Sequence, residues 1–111
     1  ALTLQVPLIV AKRSLDASVD EYYDDSFVQS PVSVVTFYVP RSMLKRRDEV
    51  LIVDDVMRTG KTIRSLINIV NKARASLSGV LVLVAIGDEW KNKLDLGDIP
   101  IEVVVSVPLR P

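Results

Sequence analysis

Continuous apolar runs and one stretch of helical periodicity dominate the pattern of this chain. Residues 50–53 and 80–86 are uninterrupted apolar runs, typical of strands buried on both faces of a parallel sheet. Between them, the apolar residues from 63 to 77 recur at spacings of three and four, which predicts a helix with one buried face, closed at 78–79. This order of strand, helix and strand predicts a right-handed βαβ unit.

Three further segments extend the predicted sheet. Residues 32–39 are rich in β-branched and aromatic side chains, 8–11 form a short apolar run, and 101–107 form a last strand. We expect 32–39 to pair antiparallel with the central strand at 49–54. The predicted fold class is α/β, an open, mainly parallel twisted sheet of about five strands with flanking helices. We expect one domain over residues 1–111.

The composition restricts the possible chemistry of the protein more than it restricts its possible folds. The chain has 111 residues, of which 49% are hydrophobic, and its net charge is zero. It has neither cysteine nor histidine, which excludes disulfides, thiolate nucleophiles and histidine-dependent catalysis or metal binding. No segment approaches the roughly 20 apolar residues that a membrane helix requires. We expect a protein with no membrane segment and no dedicated metal site.

The central strand leads into a group of polar residues. Asp54 and Asp55 stand where we expect the strand to end, and a short loop with Thr59, Gly60 and Thr62 leads into the helix. At this edge of an α/β sheet, loop and helix N–H groups are unpaired and partly positive, so a phosphate can bind them. The pattern predicts a site for a phosphorylated ligand.

This loop has two other possible interpretations. A nucleotide-triphosphate P-loop needs a glycine five positions before Gly60, where Asp55 stands, and that carboxylate would repel phosphates. This interpretation is rejected. A purely structural turn, with Thr62 capping the helix, leaves the adjacent carboxylates Asp54 and Asp55 unexplained, because neighbouring like charges repel.

Residues 50–62 also carry a family resemblance. Four apolar residues, two acids, three variable positions and Thr-Gly-x-Thr resemble the phosphoribosyl pyrophosphate (PRPP) binding motif of the phosphoribosyltransferases. The resemblance implies that Asp54 and Asp55 bind the ribose hydroxyls and that Asp55 is the candidate catalytic proton acceptor. It implies a set of residues that bind the 5′-phosphate: Met57, Arg58, Thr59, Gly60, Lys61 and Thr62.

The resemblance implies roles for residues near two other strand ends. Lys12 and Arg13 follow the strand at 8–11, where the family binds pyrophosphate, although two cations at a strand end are usually just solvated. Asp88 and Trp90 follow the strand at 80–86, at the sheet edge that carries the acids. Trp90 is the candidate to stack on the base and Asp88 to accept a hydrogen bond from it. The alternative is that Trp90 is an ordinary half-buried aromatic residue.

Residues 14–31 are polar and acidic and lack sustained periodicity, which indicates a long loop. Loops longer than about 12–15 residues are usually functional lids or disordered segments. In the family, a mobile loop here closes over the site. The segment contains no lysine or arginine, which a lid over pyrophosphate would favour.

The N-terminal end also departs from the family pattern. The chain begins with alanine, and residues 1–5 resemble a helix without an N-terminal cap. The family's first strand and pyrophosphate loop are not recognisable, and we therefore expect a chain truncated at its N-terminus.

The resemblance implies an enzyme that transfers ribose 5-phosphate from PRPP to a nitrogenous base, preferably a purine, in nucleotide salvage. Mg²⁺ would be held mainly by PRPP, and the protein would be a cytoplasmic homodimer. The alternative is a non-catalytic, PRPP-sensing transcriptional regulator, whose basic turn at 41–47 would contact nucleic acid.

Overall fold

The computed structural model describes residues 9, 11–15 and 21–109. This part of the chain contains five strands and two helices. In chain order they are β1 (Tyr22–Ser30), β2 (Ser33–Pro40), β3 (Glu49–Met57), α1 (Lys61–Lys72), β4 (Ser76–Ile86), α2 (Glu89–Lys93) and β5 (Ile101–Val107).

The strands form two separate sheets. β3, β4 and β5 are parallel neighbours in that order, and β1 pairs antiparallel with β2. The α/β class with a parallel sheet and helices is confirmed, although the described strands do not form one continuous sheet. The expected pairing of 32–39 with 49–54 is wrong. β2 pairs with β1 across a turn at residues 31 and 32, because the nearest segment along the chain closes the smallest loop.

The expected long loop at 14–31 is wrong for its second half, which forms β1. Tyr23, Asp25 and Phe27 are half-buried, whereas Asp24 is exposed, so the strand does alternate between two faces. Asp25 occupies one of the inward positions. An acid there breaks the apolar alternation, which is why the sequence pattern does not indicate a strand.

Some expectations concern residues that the structure leaves undescribed. The helix end at 1–5 and residues 16–20 of the expected loop lie outside the described residues. Of the expected strand at 8–11, only positions 9 and 11 are described, and neither belongs to a strand. Directly after them, Lys12 forms an isolated antiparallel bridge with Tyr38, with backbone N···O distances of 3.0 and 2.7 Å.

The central strand β3 differs from expectation in burial and length. Ile52 is 5% exposed, but Leu51 and Val53 are 58% and 56% exposed, so β3 is buried on one face and not on both. The strand also continues past the acids, because pairing with β4 persists from Asp54 to Met57. The two acids therefore lie inside β3 and not beyond its end.

The central helix α1 ends earlier than the periodicity suggests. It spans Lys61–Lys72, and β4 already begins at Ser76. The helix ends because Arg74 adopts a left-handed conformation, with φ of 59°. Leu77, expected in the helix, instead lies in β4 and pairs with Val50.

Two apolar cores meet α1 from different sides. Ile63 and Val70 pack with buried residues of β3 and β4, such as Ile52 and Val82. Ile69 and other residues of α1 pack with a second cluster made largely by β2: Val35, Phe37 and Val39. The helix therefore joins the two sheets, which share no strand pairing.

The remaining segments complete the parallel sheet. The strand expected at 101–107 is confirmed as β5. The polar connection before it contains the short helix α2. Within the described residues, no helix is long and apolar enough to cross a bilayer.

Candidate functional site

The C-terminal end of β3 and the start of α1 border a cleft of about 360 Å³. All six residues expected at the phosphate line it: Met57, Arg58, Thr59, Gly60, Lys61 and Thr62. Asp54 and Arg13 line the same cleft. One cleft therefore combines a carboxylate, basic side chains and the N-terminal end of a helix.

The start of α1 is suited to an anion. Gly60 is the N-cap residue, no side chain caps the helix, and its first turn contains no acid. The first-turn N–H groups and the positive end of the helix dipole are therefore directed at the cleft. The Lys61 N–H donates weakly to Thr59 Oγ1, at 3.4 Å.

Gly60 is required here for two reasons. Its φ is 83°, a left-handed conformation that side chains with a Cβ adopt only at a cost. A Cβ at this position would also lie 2.9 Å from Cγ of Leu94. The tight turn between β3 and α1 therefore depends on glycine.

The two adjacent acids differ in their position relative to the cleft. Asp54 is half-buried and lines the cleft, whereas Asp55 is exposed and is not among the lining residues. The Asp55 N–H donates to Asp54 Oδ1 at 2.9 Å, and the Val56 N–H donates to Asp55 Oδ1 at 2.8 Å. Successive residues of a strand point to opposite faces, but the two carboxylates remain close enough for a side-chain hydrogen bond between them.

Their pKa values shift in opposite directions. Burial, and then the adjacent Asp55, raise the pKa of Asp54. The hydrogen bond from the Val56 N–H lowers the pKa of Asp55. Asp54 is therefore the better proton acceptor near neutral pH, and Asp55 is the more permanently charged of the two.

Basic side chains around the loop are held by backbone carbonyls. Lys61 Nζ donates to the carbonyl of Val28 at 2.9 Å, and Arg64 Nη1 donates to the carbonyl of Lys93 at 2.6 Å. Lys93 lowers the pKa of Glu89 most strongly, and the charges of Arg58 and Lys61 add to the effect. The loop therefore lies in a positive field.

The two cations expected to bind pyrophosphate are separated. Arg13 lines the cleft, and its guanidinium lies 5.5 Å from the centre of the Phe37 ring. Lys12 is engaged through its backbone with Tyr38 and is not among the lining residues. The pyrophosphate assignment of both residues stays a prediction, with Arg13 the better placed.

The candidate base-binding residues lie outside this cleft. Trp90 is half-buried against the core, and its indole N–H donates to the carbonyl of Gly87 at 3.2 Å. The Asp88 carboxylate lies 3.3 Å from Lys91 Nζ. These contacts give Trp90 and Asp88 structural roles, and their base-binding roles stay predictions.

Sequence reasoning missed four residues that border the cleft, one of which is Ile63 at the start of α1. Phe27 and Gln29 reach it from β1, and Val56 from the centre of the motif. The alternation of inward and outward positions along β1 could have located Phe27. The family resemblance places the segment 14–31 over the site, but as a loop and not as the strand β1.

The described residues include no group of three or more acids that could hold a metal ion. Asp54 and Asp55 offer only hard oxygen ligands, which suit Mg²⁺, but the two carboxylates have different exposures. The residues present therefore fit an ion that brings most of its ligands with a substrate.

Comparison with known proteins gives a consistent result. The model of the phosphoribosyl transferase domain family matches residues 7–109. A xanthine phosphoribosyltransferase of Lactobacillus johnsonii is 29% identical over 96 residues, which cover 81% of this chain and 50% of that protein. An adenine phosphoribosyltransferase of Nocardioides sp. is 36% identical over 72 residues, covering 65% of this chain and 38% of that protein.

A solved structure agrees at the level of fold. The adenine phosphoribosyltransferase of Rhodothermus marinus superimposes with a TM-score of 0.73 at 23% identity, covering 89% of this chain and 54% of that one. The chain spans about half the length, or less, of the curated relatives that it matches.

Proposed function

The chain belongs to the phosphoribosyl transferase family, and on this premise we propose that it provides the ribose-phosphate site of a purine phosphoribosyltransferase. The observation that carries the proposal is the shared cleft of about 360 Å³, where Asp54 and the uncapped start of α1 face the same space. A sugar phosphate presents a diol and an anion together, which this pair of features matches.

In the proposed reaction, the bond from C1 of the ribose to pyrophosphate breaks and a base nitrogen bonds to C1. The protein has to position the reactants and exclude water, and it needs no nucleophilic side chain. Loop N–H groups between Arg58 and Thr62 bind the 5′-phosphate. Asp54 accepts a hydrogen bond from a ribose hydroxyl.

A base proton must leave as the new bond forms. Asp55 is the acceptor expected from the family motif, but its exposure and lowered pKa suit that role poorly. The raised pKa and cleft position of Asp54 favour it as the acceptor. We therefore assign Asp54 both ribose binding and proton acceptance, and Asp55 the ribose side of the site only.

The names of the relatives favour a transferase over a PRPP-sensing regulator, because they are xanthine and adenine phosphoribosyltransferases. They also favour a purine as acceptor. Mg²⁺ would enter with PRPP and neutralise its pyrophosphate. A homodimer and a cytoplasmic location, both implied by the family, complete the proposal.

Calorimetric titration with PRPP and Mg²⁺ tests the site, with ribose 5-phosphate as the comparison ligand. The double variant Asp54→Asn and Asp55→Asn should lose PRPP binding while keeping its fold, as judged by circular dichroism. The matched control is Asp98→Asn with Glu102→Gln, which removes two exposed acids elsewhere. Undiminished PRPP binding by the first variant would refute the ribose assignment.

Comparing PRPP with ribose 5-phosphate distinguishes binding by the phosphate loop from binding through pyrophosphate contacts. Equal affinity for PRPP and ribose 5-phosphate would mean that the phosphate loop binds its ligand without a contribution from pyrophosphate contacts. Much tighter PRPP binding would indicate a complete site, and nucleotide formation from xanthine, guanine, hypoxanthine and adenine would then identify the base. If neither ligand binds, the motif has only a structural role.

A further inference from the structure

A second cavity, of about 350 Å³, lies at the opposite end of α1 from the phosphate loop. The start of β1, the turn after β2 and the end of α1 border this cavity, which is open to solvent on one side. Its basic lining residues are Arg41, Arg46, Lys72 and Arg74, and Tyr22 and Tyr23 form its aromatic side. Since α1 has 12 residues, this cavity lies about 18 Å from the start of the helix.

Within the described residues, the lining of this cavity has four basic residues and one acid. Lys72 is paired with Asp24 and Asp25, at 3.9 and 3.5 Å. None of the arginines that line the cavity forms an ion pair with another described residue. Three arginines therefore line one space, and among the described residues the one lining acid, Asp24, already pairs with Lys72.

Two contacts orient the side chain of Arg41. Its guanidinium carbon lies 4.6 Å from the centre of the Tyr23 ring, and its Nε donates to the carbonyl of Tyr22 at 3.2 Å. The remaining guanidinium N–H groups are left to make contacts elsewhere. A planar donor group held in this way loses little entropy on binding an anion.

The backbone of Arg74 adds to this arrangement. Its φ of 59° is a left-handed conformation, which costs free energy for a residue other than glycine or asparagine. The Arg47 N–H donates to its carbonyl at 3.0 Å, which ties the turn containing Arg46 to the end of α1. Arginines from two separate turns are thereby held around one cavity.

We propose that this cavity binds a small molecule that carries two or more linked phosphate groups. Guanidinium groups bind phosphate oxygens in a bidentate manner, and a diphosphate supplies enough oxygens for several of them. The cavity volume is within the usual range of about 300–1,000 Å³ for small-molecule sites. The tyrosines give the bound molecule an apolar wall on one side.

The test is a titration of the full chain with inorganic pyrophosphate, followed by amide resonances in NMR spectra. Binding in this cavity should shift the amides of Tyr23 and Arg74. The phosphate-loop cleft also attracts anions, and binding there would shift the amide of Gly60 instead. The two sites are thus read separately, and failure of the proposed PRPP site leaves this result unaffected.

The diagnostic variant is Arg46→Gln with Arg74→Asn, since asparagine tolerates the left-handed conformation at 74. We expect this variant to raise the dissociation constant for pyrophosphate, measured from the Tyr23 amide shift, at least about tenfold. Charge-assisted hydrogen bonds to the ligand are lost in the variant. The control, Lys45→Ser with Lys91→Ser, removes two exposed cations outside the cavity and should leave this constant unchanged.

Three outcomes would overturn the proposal. Shifts confined to Gly60 and its neighbours would assign pyrophosphate to the other site alone. Inorganic phosphate binding as tightly as pyrophosphate would show that linked phosphates are not recognised. A single-stranded oligonucleotide that binds through the same arginines more tightly than pyrophosphate would identify the cavity as part of a nucleic-acid surface.

Discussion

At the scale of single residues, the adjacent acids in β3 show how one backbone gives two carboxylates different properties. Asp54 is partly buried and has a raised pKa, while Asp55 is exposed and has a lowered pKa. The charged form of Asp54 is therefore disfavoured by the folded state, and that of Asp55 is favoured by it. A protein that binds its ligand through Asp54 therefore retains a residue that destabilises the folded state.

The first prediction concerns pH and stability. Asp54→Asn should raise the melting temperature at pH 7, because it removes a charge that the fold disfavours. An acid whose pKa is raised on folding destabilises the folded state at pH values above that pKa. The destabilisation is lost once the acid is protonated. The gain should therefore disappear near pH 3. Asp55→Asn is the control and should lower the melting temperature at pH 7, since its pKa is shifted downward. Thermal unfolding at both pH values measures these differences, and equal effects of the two variants would contradict the assignment.

The second prediction separates backbone strain from a steric clash at Gly60. Gly60→Ala combines a φ of 83° with a contact of 2.9 Å to Leu94. Gly97→Ala has a φ of 58° but meets no atom within 4 Å. We expect Gly97→Ala to cost about 1 kcal/mol of unfolding free energy from conformation alone, and Gly60→Ala to cost clearly more. Chemical denaturation measures both, and equal costs would mean that Leu94 moves aside freely.

At the scale of elements, β1 is fastened along α1 by polar contacts. Lys61 Nζ binds the carbonyl of Val28, and Lys72 Nζ binds that of Asp24. Between these points, the Asp25 carboxylate accepts from Ser65 Oγ at 2.9 Å and from Asn68 Nδ2 at 3.2 Å. Asp24 and Asp25, two of the acids that a lid over pyrophosphate would not favour, therefore attach β1 to α1.

The third prediction follows from this attachment. Asp25→Ala leaves the buried Ser65 hydroxyl, in a residue 1% exposed, without its acceptor. We expect a loss of about 1–3 kcal/mol in the free energy of unfolding. Asp24→Ala is the control, since its side chain is 61% exposed and should cost much less. Urea denaturation compares the two, and equal losses would mean that the contact to Ser65 contributes nothing.

How far each element could be predicted depends on what defines it. β4 and β5 are visible as apolar runs, and the phosphate loop is visible because its chemistry is local. The end of α1 was not predictable, because the break lies at Arg74, a residue type that normally continues a helix. Likewise, the inward acid that hides β1 in the sequence pattern, Asp25, has its partner Ser65 on α1, 40 residues away.

At the scale of the whole molecule, one face of the parallel sheet is apolar and exposed. Leu51, Val53, Leu83 and Val104 are between 46% and 64% exposed. They alternate with Ile52, Val82 and Val103, which belong to or pack against the core on the other face. Contiguous apolar surface of this kind favours association.

The fourth prediction tests this surface. Val53→Thr with Val104→Thr keeps β-branched side chains while adding hydroxyls, so the strands should persist. We expect the double variant to self-associate less than the unchanged chain in sedimentation-velocity experiments over a range of concentrations. Val32→Thr is the control, because Val32 is 96% exposed in the turn after β1. Unaltered association by the double variant would place the contact between copies elsewhere.

Because α1 contributes side chains to both cores, the two sheets cannot lose their packing independently. Local unfolding of either sheet exposes apolar side chains of α1 to water. The local unfolding of one sheet is therefore coupled to that of the other. The last prediction is therefore that the slowest-exchanging amides of β2 and β4 report a common opening free energy in hydrogen-exchange measurements. If the amides of β1 and β2 exchanged much faster than those of β4, these two strands would form a separate cooperative unit. With a common value, a ligand bound at the start of α1 should slow exchange in β2, which does not line the cleft, by the same factor as in β4, so protection would spread through the molecule without any change in its shape.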